Sequence, residues 1–137
     1  MGDKMSDWER YHFEERIRDI LKSVKYYDPK HHMNPPFLTA YQIAIEFNDR
    51  HPEVAKEKQL QVGGAGIGER TSLSQYIAGE LSSRIKRGRI AGIEGSFLSN
   101  MHLKMLSFKN DDKLVVSSLT KTQYDLSQFR LLPKSLQ

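Results

Sequence analysis

The sequence predicts an α+β domain: three amphipathic helices followed by a small antiparallel β-hairpin or sheet. Three observations carry this. A Ser or Thr followed three residues later by Glu or Gln introduces an apolar run at Ser6, Thr39 and Ser72, the pattern that satisfies the orphaned amides of a helix start. Gly88 closes the third run, as glycine does where a helix ends in a left-handed turn. From Arg89 to Leu119 the text becomes strand-like and is punctuated by short polar turns.

The first helix is expected over about Asp7 to Lys25. Phe13, Ile17, Ile20, Leu21 and Val24 recur at helical spacing, and Glu14, Glu15, Arg16, Arg18, Asp19 and Lys22 fill the other positions. Trp8 and Tyr11 stand partly off that stripe, so they are read as packing on a neighbouring segment or as a dimer contact. Pro29 and the Pro35-Pro36 pair make the following stretch an extended connector. His31 and His32 in it have no acidic or histidine partner at ligand spacing and read as a solvated loop.

The second helix follows Thr39, with Pro36-Phe37-Leu38 before it suited to a hydrophobic staple. Ala40, Tyr41, Ile43, Ala44, Ile45 and Phe47 make it nearly apolar throughout. Pro52 interrupts it and suits the first position of a short extra helix to Lys58. Residues 59–70 then form a glycine-rich inserted loop. Val62-Gly-Gly-Ala-Gly-Ile-Gly68 resembles a phosphate cradle at first sight, but a Walker loop needs Lys and then Ser or Thr after the last glycine, and Glu69-Arg70 stands there. A dinucleotide fingerprint fails too, because Thr71 occupies the place of its last glycine.

Leu73, Ile77, Leu81 and Ile85 define the buried stripe of the third helix, expected from Ser72 to Arg87. Its opposite face is expected to carry Ser74, Gln75, Gly79, Ser82, Ser83 and Lys86, and the helix exits through Arg84-Ile-Lys-Arg-Gly-Arg89. Small polar and amide side chains suit base edges, and lysine and arginine suit phosphates. Ordinary solvation and the helix macrodipole account for the same residues without any ligand. Beyond the helix, Arg89 to Glu94 reads as a strand, Gly95 to Asn100 as a loop, Met101 to Phe108 and Lys113 to Leu119 as strands around an Asn110-Asp-Asp112 turn. Residues 120–137 retain Tyr124, Leu126, Phe129, Leu131 and Leu132, too apolar for a free tail, and are expected to pack back on the core or across a dimer.

Length and composition bound the function. At 137 residues the chain is one domain by its length. Without cysteine it has no disulfide, thiolate metal site or cysteine nucleophile. No secretory or membrane-spanning pattern is present, so a cytoplasmic location is the expectation. Residues 61–109 carry seven basic and three acidic side chains, which is the whole net charge of +4, while the rest of the chain sums to zero. A local basic excess is the footprint of a nucleic-acid binder. No paired carboxylates and no nucleophile-elbow serine stand out, so no enzyme, cofactor or metal is expected.

Three helices followed by a hairpin, the last helix basic at its exit, resembles the winged helix-turn-helix superfamily in element order over about Asp7 to Leu119. That resemblance implies that the helix after Ser72 is the recognition helix. It also implies a small DNA-binding protein, a transcriptional regulator or mobile-element accessory factor. The implied nucleic-acid contacts are Arg70, Ser74, Gln75, Ser82, Ser83, Arg84, Lys86, Arg87, Arg89 and, from the hairpin, Lys104. The partners expected are duplex DNA and a second copy of the chain, joined through the N-terminal helix or the C-terminal segment. One departure from the superfamily is the separation of its two central helices, normally three to four residues, here 52–70. The alternative is a protein–protein module of the same shape, with Trp8, Tyr11 and the apolar tail as its contacts.

Overall fold

The computed structural model describes residues 5–63, 72–111, 113–116 and 125–133. Within them the architecture is α+β, with five helices and two separate small antiparallel sheets. The expected three-helix core with a single hairpin is therefore too simple: the short helix opening at Pro52 follows as the local pattern suggests, and the other extra parts arise where long-range packing overrides local pattern.

The first expected helix is two. Helix α1 (Asp7–Arg10) is a single turn, capped by the Ser6 hydroxyl, which accepts from the Glu9 amide at 3.3 Å. Helix α2 (Phe13–Lys22) follows after His12, whose φ of 53° is left-handed. The break has a packing cause. Five positions along an unbroken helix would place Trp8 about 140° from Phe13, off the apolar stripe. The kink instead stacks the indole on the Phe13 ring, 5.3 Å between centroids, and Trp8 becomes 3% exposed. Of the two readings open to Trp8, packing on a neighbouring segment is the one the fold shows.

Strand β1 (Leu38–Thr39) leads into helix α3 (Ala40–Arg50). Thr39 closes the capping box in both directions: its hydroxyl accepts from Gln42 N at 3.2 Å, and its amide donates to Gln42 Oε1 at 2.7 Å. Helix α4 (Pro52–Lys58) begins with proline, whose missing N–H costs nothing there. Helix α5 (Leu73–Lys86) is capped by Ser72 in the same reciprocal way as α3. The rings of Phe13 and Phe47 stack at 4.6 Å, and with Ile17, Ile43, Leu73, Ile77 and Leu81 they form the fully buried centre.

Beyond α5, Gly88 and Gly92 have φ of 71° and 81° and turn the chain before strand β2 (Ile93–Leu98) begins. The strand thus starts four residues later than its sequence suggests and runs through the stretch expected as a loop. Gly95 is the reason. It is not a turn glycine: a Cβ there would meet the Phe129 ring at 3.1 Å, so its bare backbone makes room for a cross-strand aromatic. Strands β3 (Ser107–Asn110) and β4 (Lys113–Val116) pair only with each other, and this hairpin leans on α3 by stacking Phe108 on Tyr41 at 5.4 Å. Strand β5 (Leu126–Leu131) occupies the middle of the other sheet, in the order β1-β5-β2, with Leu38 opposite Phe129 and Ile93 opposite Leu131. Arg130 secures it, bonding the Glu94 carboxylate at 2.7 Å and the Met33 carbonyl at 2.8 Å. No described helix is long and apolar enough to cross a membrane.

Candidate nucleic-acid interface

Helix α5 separates cleanly into faces. Leu73, Ile77 and Leu81 are fully buried, while Gln75, Gly79, Ser82 and Lys86 are exposed. Spacings of four, three and four residues align these exposed positions in one stripe down the helix. No carboxylate lies on that stripe. At its end Lys86, Arg87 and Arg89 are exposed, and none is ion-paired among the described residues.

Gly79 sits in the middle of this stripe. A Cβ built there meets nothing within 4 Å. A glycine inside a helix costs about 1 kcal/mol relative to alanine, and here no neighbouring group among the described residues requires it.

The remaining residues expected at the interface fall elsewhere. Ser74 is only 4% exposed, with its hydroxyl 3.0 Å from that of Ser72, so it faces inward and offers nothing to a ligand. A helical count places it on the outer flank, but the 61–63 segment covers that flank. Gln61 and Val62 carbonyls accept from the Leu73 and Ser74 amides at 2.7 and 2.8 Å. The Ser72 hydroxyl takes the Gln75 amide at 3.1 Å, so the start of α5 has its donors already satisfied and is no phosphate cradle. Gln75 keeps its side-chain oxygen on the Ser72 amide at 3.1 Å. Arg84 is turned inward as well, its guanidinium over the Trp8 ring and Nε 3.3 Å from Glu80 Oε2. This buried Nε has no hydrogen-bond partner among the described residues. Ser83 is half-buried. Lys104 is exposed in the link between β2 and the β3–β4 hairpin. Arg70 lies outside the described residues.

Burial, then Asp111 and Glu46, push the Asp49 carboxyl above its ordinary range, which marks a gathering of negative charge. On the flank of α5 facing α1, burial and Glu80 push the Tyr76 hydroxyl up to about 12, so it stays protonated.

Beside the stripe runs a groove of about 290 Å³ between α5 and the β2–β5 pair. Ser82, Ile85 and Lys86 line one side; Gly95, Phe97, Ser127 and Phe129 line the other. Sequence reasoning missed Phe97, because residues 95–100 read as a loop; the only available signal was its alternation with Gly95 and Ile93. Among the described residues no group of three or more His, Cys, Asp or Glu is placed to hold a metal. No protein-family model, curated protein or solved structure matches the chain.

Proposed function

We propose that the protein binds duplex DNA in the manner of a winged helix-turn-helix domain, through the exposed stripe of α5 and its basic exit. Two features support the winged-helix reading. The elements α2, β1, α3, α5, β2 and β5 follow one another in that superfamily's order, and β5 lies between β1 and β2. In this reading α4 is an insertion between the paired helices, and the β3–β4 hairpin is an elaboration of the wing. A transcriptional regulator or mobile-element accessory factor is the role that fits.

The observation that carries the proposal is Gly79. An exposed, helix-interior glycine that no packing among the described residues requires weakens the helix, and close approach of another molecule's surface accounts for it. Ser82 and Lys86 flank it with groups suited to base edges and phosphate. The binding would be salt-dependent. Three or four cations (Lys86, Arg87 and Arg89, with or without Lys104) give a slope of log affinity against log salt of about −3 to −4. A salt titration against random duplex DNA tests this, and a flat response or no binding at low salt would sink it. Gly79→Ala supplies a sharper arm: it should stabilise the fold by up to about 1 kcal/mol while weakening DNA binding. Unchanged affinity in that variant would argue that the stripe is merely solvated.

The second reading, a protein–protein module, is favoured by a different observation. Met101, Met105 and Leu114 are 71%, 45% and 68% exposed around the β3–β4 hairpin, and apolar exposure of this kind suits a partner more than solvent. Glutamate at Lys86, Arg87 and Arg89 separates the two readings, because it abolishes DNA binding and leaves hairpin docking intact.

A further inference from the structure

The groove beside α5 has an unusual construction. Ile93, Gly95 and Phe97 share the face of β2 that looks towards α5, and they stand opposite Leu131, Phe129 and Ser127 of β5. Large and small residues alternate across the pair: bare Gly95 faces Phe129, and Phe97 faces the small Ser127. The second pairing leaves the Phe97 ring without a cross-strand cover, and it is 68% exposed. The floor is apolar, formed by Ile85 and Phe129, while Lys86 is the one charged residue on the lining among the described residues. Arg87 and Arg89 follow it, exposed, and among the described residues no carboxylate lines the cavity.

An apolar slot edged by an uncovered aromatic, with a lysine on its lining and two exposed arginines following it in the chain, suits one kind of partner. A strand of nucleic acid presents flat apolar base faces joined by phosphates, and exposed aromatics beside a cationic track are its stacking platforms. The volume is at the small end for ligand sites, suited to a single planar group and not to a peptide segment. Ser82 and Ser127 provide hydroxyls on opposite walls that both donate and accept, so they do not select one base over another.

We infer that this groove takes one unpaired base of a bound DNA, stacked on Phe97, with the adjoining phosphate at Lys86. The inference rests on the duplex-DNA reading above and deepens it: the protein prefers duplex DNA that carries an unpaired nucleotide next to the segment lying along α5.

The test uses the full chain at 50 mM salt with three labelled probes: a fully paired duplex, the same duplex with a one-nucleotide bulge, and the same bulge made abasic. The bulged duplex is expected to bind roughly tenfold more tightly than the paired one, and the abasic bulge no more tightly than the paired. Phe97→Ala, at an exposed position that leaves the fold intact, should remove the gain without changing affinity for the paired duplex, and Phe97→Trp should preserve it. Equal binding of paired and bulged probes overturns the inference while leaving the duplex reading standing. So does a gain that persists in Phe97→Ala or with the abasic bulge, which would reflect only easier bending. Failure of every probe to bind overturns both.

Discussion

The guanidinium carbon of Arg84 lies 4.9 Å from the centroid of the Trp8 ring, so the most prominent cation in the basic run of α5 is held by the N-terminal turn. Trp8 is sandwiched between it and the Phe13 ring. The pair ties α1 to α5 across the bundle. Trp8→Ala should therefore cost about 3–5 kcal/mol in urea-induced unfolding, and Arg84→Ala about 1 kcal/mol or somewhat more, since a partly desolvated cation over an indole contributes on that scale. Arg84→Ala should leave DNA affinity nearly unchanged; a tenfold loss would show that the arginine reaches phosphate.

Lys86, Arg87 and Arg89 are predicted to behave in the opposite way. Each is exposed, so alanine there should barely move the unfolding midpoint. Removing one cation that neutralises a phosphate should shallow the salt slope by about 0.9. Binding isotherms at several salt concentrations for the three single variants check this residue by residue.

Ser72→Ala tests how firmly α5 is anchored at its start. The hydroxyl holds the Gln75 amide and lies 3.0 Å from the buried Ser74 hydroxyl. Loss of a cap of this type costs about 0.5–2 kcal/mol, and removal of its buried partner should place this variant at the upper end in thermal unfolding.

His51 predicts a pH dependence of stability. Burial first, and Arg16 next, hold its imidazole below the ordinary value of 6.5, so the folded state favours the neutral ring. The stabilisation is present above about pH 6.5 and is lost as pH falls through the folded-state value, because the unfolded chain binds the proton first. Unfolding free energy measured between pH 7.5 and 5 should fall in the wild type. The His51→Gln profile should be flatter across that range; an unchanged slope would assign the effect to other groups.

Much of the helical half was legible in the sequence, because helix starts and apolar stripes are local. Ser6, Thr39 and Ser72 each cap the helix assigned to them, and Leu73, Ile77 and Leu81 are buried as their spacing requires. What the sequence hid depends on distant partners. His12 gives no local sign of a left-handed break; the burial of Trp8 makes one. Gly95 looks like a turn until Phe129 is placed against it, and Leu38–Thr39 becomes a strand only because residues 128 and 129 arrive beside it. At the candidate interface the same division holds. The outward positions of Gln75, Gly79, Ser82 and Lys86 follow from helical geometry, whereas the inward turn of Ser74 and Arg84 depends on the 61–63 segment and on Trp8.

The central place of β5 has a consequence for the order of assembly. Leu38 pairs with Phe129, 91 positions later, and β1 and β2 touch β5 but not each other. The sheet therefore has no two-stranded precursor made from its earlier strands, and pairings of such long range close late. The α-helical half, with α5 already seated by its cap and stripe, is expected to gather first. The groove wall supplied by Ser127 and Phe129 comes into being only with the final strand, so a chain halted before residue 126 would keep α5 and lack the slot beside it.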